Sequence, residues 1–468
     1  MHLYGTKYSL NSNTTYDKIN ASLKELKINN ALKKGNISTR TGADAKDVFQ
    51  ALMSLKFYGL SWNKFTSSDR HPNLSKDSGY RFLRNEHFNW RSVIYSLSSE
   101  AVELISKANT NDRSQYLIID DTPLGRKGSK KTDMLSYIYD HVDHKTYKGY
   151  LLETCGWCDG YSFIPLDMVF TASSNKLIND IPEGIDKRTI GYKRRQEALM
   201  KKNDLAVDMV ERKKSRGIIA DYVLMDSWYS MPSAFESVKK TGADLIGMVK
   251  QSSKIFFKFN GKKMCIPDLY KAAMSQCSRR NVREAEFSDI LSSITVTTDN
   301  GTAIKLVVAV NRNSADKYVL IACSDTSLTA EEIVYKYSFR WSTECFYRVC
   351  KDMLGLENEF HYKTFEATIA HAAIVFIRYI ALEWTLRKDN DLRTIGNIFY
   401  ILVDEIRDRE YISCFMEFLD SLVETLYKHK VDNAKDIISE ALARVYAKAP
   451  SWFKHFVDNA LSNLKTTG

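Results

Sequence analysis

The stretch that most constrains the fold is DYVLMDSWYSMPSAFESVKKTGADLIGMVK, residues 221–250. The run from Tyr222 to Met225 predicts a strand, SAFESVKKTG predicts a helix that stops at Gly242, and ADLIGMVK predicts a second strand. A strand, a helix and another strand form a βαβ unit, and ligands bind at the carboxyl ends of such strands. Asp226 directly follows the first strand and is therefore a candidate ligand residue.

A second acidic strand end is predicted in YLIIDDT, residues 116–122. Its short apolar run is typical of a buried strand, and two carboxylates, Asp120 and Asp121, follow it. Aspartates in this position are either turn formers or ligands, and turn formation is the commoner role. Because side chains alternate along a strand, only one of the two should reach a shared site.

A third group of candidates lies in EEIVYKYSFRWSTECFYRVCKDMLG, residues 331–355, which has no Pro and no Gly before its last residue. This composition predicts one continuous helix. At about 100° per residue, four side chains fall within roughly 60° of each other on one face: Tyr337, Arg340, Glu344 and Lys351. A simple i,i+4 ion pair between Arg340 and Glu344 on an exposed helix explains part of this pattern equally well.

The spacing of these four residues, Y-x2-R-x3-E-x6-K, resembles the YREK signature of the DDE transposases of bacterial insertion sequences, the cut-and-paste group named for that motif. The surrounding sequence agrees, with an Asp-x-Thr after a first strand and an Asp after a later strand. The resemblance covers roughly residues 116–387. Since four residues match by chance in some chains, the motif depends on this context.

The resemblance implies a ribonuclease H-like catalytic domain in which Asp120, Asp226 and Glu344 hold two Mg²⁺ or Mn²⁺ ions per active site. Its Asp-x-Thr pattern selects Asp120 over Asp121. It also implies that Arg340 and Lys351 contact DNA phosphates, and that Tyr337 either bonds to a phosphate or orients Arg340. The implied partners are double-stranded DNA, as transposon terminal inverted repeats and target DNA, and a second copy of the chain in the DNA complex.

We therefore expect an α/β protein with a ribonuclease H-like mixed sheet, a β-rich insertion, and helical N- and C-terminal regions. The 117 residues between Asp226 and Glu344 are too many for one connection, and a DNG turn between two β-rich runs predicts a hairpin there. The predicted regions are a helical DNA-binding part (1–110), the first catalytic part (111–250), the insertion (251–328), the second catalytic part (329–388) and a helical tail (389–468).

Basic segments are candidate DNA-binding surfaces in a chain of formal charge +10, with a sequence pI near 8.9. Residues 187–216 carry a net charge of +7 (eleven basic minus four acidic) and predict a helix with a basic outer face. A solvated helix without a ligand is the alternative. The candidate residues are Lys33, Lys34, Arg81, Arg84 and Arg91 in the N-terminal part, Lys127 in the loop 123–134, Arg194 and Arg195 in the basic segment, and Trp228 as a base-stacking residue.

Other classes of protein are disfavoured. The N-terminal segment has no signal-peptide core, and the apolar run FEATIAHAAIVFIRYIALEWTL contains charged residues and predicts a buried core helix, so we expect a cytoplasmic protein that does not cross a membrane. The eight cysteines predict reduced thiols. A zinc site built from His141, His144, Cys155 and Cys158 is disfavoured by the strand-like pattern around the cysteines. The remaining alternatives to a transposase are a non-catalytic DNA-binding descendant and a metal-dependent nuclease without strand transfer.

Overall fold

The computed structural model describes residues 15–39, 41–67, 74–108, 113–140, 144–276, 290–310, 318–357, 362–388 and 393–428, together with a few positions between 433 and 447. The chain forms two compact units. One unit comprises Met1–Ile28, Ser38–Phe82 and Asp389–Gly468, and the other comprises Asn29–Ile37 and Leu83–Lys388.

All strands of the described chain lie in the second unit and form one sheet. The strands are β1 Tyr116–Gly125, β2 Ser136–Asp140, β3 Lys145–Cys158, β4 Phe163–Thr171, β5 Tyr222–Met225, β6 Asp244–Val249, β7 Phe256–Phe259, β8 Lys262–Cys265, β9 Ile290–Thr297, β10 Ala303–Val310 and β11 Tyr318–Cys323. Their order is β2-β3-β1-β5-β6-β11-β10-β9-β7-β8, and β4 pairs with β3.

The helices of the described chain are α1 Thr15–Glu25, α2 Ile28–Lys34, α3 Ala45–Tyr58, α4 Trp62–Thr66, α5 Lys76–Leu83, α6 Trp90–Ala108, α7 Ile190–Ala198, α8 Lys202–Ser215, α9 Pro232–Lys240, α10 Ile266–Ser275, α11 Ala330–Ser338, α12 Trp341–Asp352, α13 Phe365–Lys388 and α14 Ile395–Lys428. In the first unit, α14 packs against α1 and α3. In the second unit, α6 packs against β4 and α13.

The part of the sheet that carries the acidic residues is the run β4-β3-β1-β5-β6. Strand β3 pairs antiparallel with both β1 and β4, whereas β1, β5 and β6 run parallel to one another. The predicted βαβ unit is confirmed: α9 connects β5 to β6, and Gly242 ends the helical stretch with a φ of +90°. A mixed sheet of this order, covered by helices, is consistent with a ribonuclease H-like DDE fold.

Residues 251–328 add strands to the same sheet. Strand β11 pairs antiparallel with β6, and β10, β9, β7 and β8 continue the sheet outwards. The predicted DNG turn joins β9 to β10 and is a hairpin turn, with Gly301 at a φ of +87°. A strand that the sequence did not predict, β2, pairs with the first half of β3.

Helix α13 forms a large part of the core of the second unit. Among the described residues it is the one helix that is long and apolar enough to span a membrane, yet 94 % of its apolar window is buried inside the protein. The ring of Phe376 packs edge-on against Phe346 of α12, which places α12 against the core helix. The predicted buried core helix is therefore confirmed.

Candidate active site

Two acidic residues lie on adjacent parallel strands, Asp120 within β1 and Asp226 directly after β5. The prediction that the strand of YLIIDDT ends at its aspartates is wrong, because β1 continues to Gly125 and pairs with β3 along its whole length. Ile119 of β1 pairs with Met225 of β5, and the next residues of the two strands are Asp120 and Asp226. Since the strands are parallel and in this register, Asp120 and Asp226 lie at the same level along the two strands. Asp120 is 8 % exposed and Asp226 is half-buried.

The YREK stretch is not one helix, which corrects the sequence-based expectation. Helix α11 ends at Ser338 and α12 begins at Trp341. Between them the backbone forms i→i+3 hydrogen bonds, in which the amide of Arg340 donates to the carbonyl of Tyr337 and the amide of Thr343 donates to that of Arg340. This tighter turn places Arg340 immediately before α12 and Glu344 in its first turn.

Arg340 connects the first and third candidate carboxylates. Its Nη1 donates to Oδ2 of Asp120 at 2.7 Å, and its Nη2 donates to Oε1 of Glu344 at 2.5 Å. The ion pair is largely shielded, because the Arg340 and Asp120 side chains are 19 % and 12 % exposed. One guanidinium thus holds together two acidic residues that are 224 positions apart in the chain (344 minus 120).

The electrostatics of the two aspartates reflect burial among like charges. Burial raises the pKa of Asp120 to about 7, with the charges of Asp226 and Asp121 adding to the rise and Arg340 opposing it. Burial also raises the pKa of Asp226, with Asp121 adding to the rise while the backbone amide of Trp228, Lys202 and Arg340 oppose it. Carboxyl groups in such an environment attract a proton or a cation.

Asp121 belongs to the opposite face of β1. Its Oδ2 accepts a hydrogen bond from the hydroxyl of Tyr229 at 2.6 Å and forms an ion pair with Lys202. Glu153, its cross-strand neighbour on β3, is fully buried, and burial raises the pKa of Glu153 well above its usual value. The alternation predicted for the two aspartates is therefore observed, and Asp120 is the one that contacts the YREK residues.

Two tyrosines that sequence reasoning missed link the acidic segments to β1. Tyr229 lies three residues after Asp226, and its hydroxyl bonds to Asp121 at the distance given above. Tyr347 lies three residues after Glu344, and its hydroxyl donates to the carbonyl oxygen of Asp120 at 3.0 Å. The repeated pattern acid-x-x-Tyr was visible in the sequence and could have identified them.

The other predicted ligand-contacting residues lie around this centre. The guanidinium of Arg340 lies 6.0 Å from the ring centroid of buried Tyr337, a contact that suits the orienting role considered for this tyrosine. Lys351 donates to the carbonyl of Pro123 at 3.0 Å, further along β1. Trp228 is 41 % exposed, and the ammonium of Lys250 lies 3.9 Å from its ring centroid.

Arg194 and Arg195 do not lie on an outer basic face, which corrects the interpretation of residues 187–216. Arg195 is 2 % exposed and bonds to Asp133 at 2.9 Å and to Glu366 at 3.0 Å. Arg194 pairs with Glu197 at 2.8 Å and its side chain is 13 % exposed. These guanidiniums neutralise buried or half-buried carboxylates inside the second unit and are not presented to a polyanion.

A related ion-pair cluster surrounds Asp167 of β4, which is fully buried. Arg91, Arg212 and Lys213 contact its carboxylate at 2.6, 3.2 and 3.2 Å. Arg91 of α6, a candidate phosphate contact in the sequence, is thus also engaged within the protein. By contrast, Lys33, Lys34, Arg81 and Arg84 are exposed.

Lys127 belongs to an exposed basic cleft of about 600 Å³. The residues that line it are Gly125, Arg126, Lys127, Gly128, Ser129, Lys130, Lys131, Thr132, Tyr362 and Lys363. None of these described lining residues is acidic. The side-chain amide of Asn179 donates to the carbonyls of Lys130 and Thr132 at 3.0 and 2.7 Å, which holds the loop in place with its lysines directed outwards.

Possible metal-binding clusters were considered among the described residues. In the part of the chain that the structure describes, no group of three or more His, Cys, Asp or Glu side chains is arranged to hold a metal ion. At the acidic centre, the guanidinium of Arg340 bonds to both Asp120 and Glu344. Cys155 and Cys158 are buried free thiols, His144 is exposed, and His141 lies outside the described residues.

Comparison with known families bears on Asp120 and Asp226. Residues 66–281 match the family model of the DDE superfamily endonucleases. The match spans 216 of the 468 residues, a little under half of the chain, and it includes Asp120 and Asp226. It ends before Glu344, so the YREK signature lies outside it. No curated protein matched the chain. The family match supports a nucleic-acid-cleaving enzyme of the DDE type.

Proposed function

We propose that the chain is a DDE transposase that cleaves DNA at transposon ends and transfers the freed strand into target DNA. The observation that carries this proposal is the convergence of three acidic residues from the middle of β1, the turn after β5 and the helix α12. Arg340 contacts both Asp120 and Glu344, and Asp226 follows the strand adjacent to that of Asp120. The DDE match over Asp120 and Asp226 supports the same chemistry.

The proposal implies two Mg²⁺ or Mn²⁺ ions, and the donor set fits them. Carboxylate oxygens are the ligands that hard divalent cations prefer. Buried Asp120 and half-buried Asp226 lie beside other negative charges that a cation would neutralise. Asp120, Asp226 and Glu344 would hold the ions. When bound, such ions supply Lewis acidity that activates the attacking oxygen and stabilises the leaving oxygen.

The remaining residues of the centre bind and orient the DNA. Arg340 and Lys351 are suited to phosphate oxygens, and the planar guanidinium offers two parallel donors. Exposed Trp228 offers an aromatic face for an unpaired base next to Asp226. In cleavage, a water oxygen forms the new bond to phosphorus as the 3′-oxygen departs. In transfer, the oxygen of the freed 3′-hydroxyl forms a bond to a target phosphorus, the bond from that phosphorus to the target's own 3′-oxygen breaks, and the proton of the attacking hydroxyl is released. Because two ends must be joined to one target, the active form is a dimer on DNA.

The test separates transposition from simple hydrolysis. DNA that carries the ends of the element encoding this chain is pre-cleaved to expose a 3′-hydroxyl, then incubated with protein, Mg²⁺ and a supercoiled target. We expect joined products with the wild type and none with Asp226→Asn or with a 3′-deoxy end. Cleavage without joining would indicate a nuclease, and binding without cleavage would indicate a non-catalytic DNA-binding protein.

A further inference from the structure

Two buried tyrosines occupy equivalent positions relative to two of the three acidic residues. Tyr229 follows Asp226 by three residues, and Tyr347 follows Glu344 by three residues. Both hydroxyls bond to the same dipeptide of β1, residues 120–121. The contacts join segments that are 108 and 227 residues apart in the chain.

The contact of Tyr229 fixes the turn that carries Asp226. The amides of Tyr229 and Ser230 donate to the carbonyl of Asp226 at 3.2 and 3.1 Å, so the tyrosine and the aspartate belong to one compact turn. The Tyr229 hydroxyl donates to Asp121 at 2.6 Å, and the ammonium of Lys202 lies 4.5 Å from the tyrosine ring centroid. The side chain is 1 % exposed, so water cannot replace the bond.

The contact of Tyr347 fixes the helix that carries Glu344. Residues three apart in α12 lie on neighbouring positions of one helical face, so the two side chains move together. The Tyr347 hydroxyl donates to the carbonyl of Asp120 at 3.0 Å and lies 3.4 Å from the carbonyl of Leu152 on β3. Tyr347 is 6 % exposed, and burial raises its pKa well above the usual value, which keeps the hydroxyl protonated as a donor.

We propose that Tyr229 and Tyr347 are positioning residues that hold the carboxylates of Asp226 and Glu344 at fixed distances from Asp120. Each tyrosine bonds to β1 and thereby fixes the position of the acidic residue three residues before it. This inference rests on the proposed function, since it concerns the residues that would hold the divalent ions. Removing a group that orients a metal ligand without contacting the metal ion lowers metal affinity or activity by about 10- to 100-fold.

The test uses Tyr229→Phe and Tyr347→Phe, which remove only the hydroxyl. The matched control is Tyr150→Phe, because Tyr150 is a fully buried tyrosine whose hydroxyl donates to a backbone carbonyl, that of Asp133. Mn²⁺ binding is measured directly by electron paramagnetic resonance on the full chain without DNA. Binding of end DNA in EDTA and the thermal unfolding midpoint are measured alongside.

We expect Tyr229→Phe and Tyr347→Phe to weaken Mn²⁺ binding about 10- to 100-fold and to leave DNA binding unchanged. Tyr150→Phe should lower the unfolding midpoint by about as much as Tyr229→Phe and Tyr347→Phe do, but it should not change the affinity for Mn²⁺. In an Asp226→Asn background, Tyr229→Phe should cause little further loss of Mn²⁺ affinity, because the effects of substituting two coupled residues are not additive. Tyr347→Phe should behave likewise in a Glu344→Gln background.

Equal Mn²⁺ affinity in wild type and both variants would overturn the positioning role while leaving the proposed function intact. The same weakening in Tyr150→Phe would also overturn it, since the effect would then follow from stability alone. A wild type that binds Mn²⁺ but never cleaves DNA would refute the proposed function and not the positioning role. A wild type without Mn²⁺ binding would refute both.

Discussion

At the scale of single residues, Arg340 sets the charge balance of the acidic centre. It supplies one positive charge to Asp120 and Glu344, while Asp226 and Asp121 add negative charge nearby. The guanidinium does not fully offset burial, because the pKa of Asp120 remains raised to about 7. The centre is therefore short of positive charge, which divalent ions would provide.

The raised pKa of Asp120 predicts a pH-dependent stability effect. The folded pKa of about 7 lies above the ordinary 3.8, so the ionisation of Asp120 destabilises the folded state. This destabilisation is absent below about pH 4, grows between about pH 4 and 7, and is constant above about pH 7. In EDTA, Asp120→Asn should therefore raise the unfolding midpoint most at pH 8 and least at pH 4. A variant less stable than wild type at pH 8 would mean that the ion pair with Arg340 outweighs the burial of charge.

Residue roles that depend on local sequence could be predicted, and those that depend on distant partners could not. Asp120 and Asp226 follow apolar strand runs, a pattern visible within ten residues. The orientation of Arg195 depends on Glu366, which lies 171 residues away in the chain. A count of basic residues along the segment therefore placed Arg195 on an exposed basic face, although its side chain is buried. The role of Tyr347 could not be predicted for the same reason, because its partner Asp120 lies 227 residues away in the chain. Only its spacing from Glu344 was visible in the sequence.

At the scale of elements, the junction of β1, β2 and β3 is closely packed around Gly149. Gly149 pairs with Gly125 on one side and with Ser136 on the other. A Cβ at this position would lie 2.3 Å from the carbonyl oxygen of Leu124 and 2.9 Å from Cδ1 of Ile138. Since the first neighbour is backbone, a side chain can be accommodated only by moving β1.

Gly149→Ala should therefore destabilise the protein by about 1–3 kcal/mol. It should also lower activity, because β1 carries Asp120. The control is Gly128→Ala in the adjacent loop, where a Cβ would have no neighbour within 4 Å. Urea denaturation of both variants checks the expectation. Equal stability of Gly149→Ala and wild type would show that β1 shifts without cost.

The elements themselves were predicted unevenly. The βαβ unit and the DNG hairpin have strong local signals, namely alternating apolar runs and turn residues with positive φ. No Pro or Gly in the sequence indicates the break between α11 and α12. There, contacts of Arg340 with Asp120 on β1 accompany an i→i+3 turn, so tertiary interactions outweigh the helical preference of the local sequence.

At the scale of the whole molecule, positive charge that remains available to DNA is concentrated in a few places. Residues 187–216 contribute much of the formal charge, but Arg194, Arg195 and Lys213 neutralise buried carboxylates. The cleft around Lys127 is different, because its lysines are exposed and its described lining contains no acid. We expect this cleft to contact the phosphate backbone.

The double variant Lys130→Gln/Lys131→Gln tests this expectation. Removing one lysine–phosphate interaction reduces the slope of log K against log salt concentration by about 0.9, so the slope should fall by up to about 2. The control pair Lys240→Gln/Lys262→Gln removes the same charge from exposed positions on α9 and β8. Fluorescence anisotropy with duplex DNA in EDTA provides the slopes. Equal slopes for the two pairs would exclude a special role for the cleft.

The division into units was the least predictable feature at this scale. The sequence predicts a helical region over residues 1–110 and a helical tail over 389–468. Residues 1–28 and 38–82 share a compact unit with 389–468, and residues 29–37 and 83–110 belong to the unit that contains the sheet. Periodicity identifies helices but does not reveal which of them pack together. The association of α14 with α1 and α3 joins opposite ends of the chain, and no local pattern encodes it.

The most direct test of the central claim is Mg²⁺-dependent cleavage of DNA that carries the element's own ends, with wild type compared to Glu344→Gln. We expect cleavage to fall by at least about 100-fold, the upper end of the effect of removing only an outer partner of a metal ligand, while end binding is retained. Glu331→Gln, an exposed position on α11, is the control and should cleave normally. Equal cleavage by Glu344→Gln and wild type would contradict the DDE assignment of this residue.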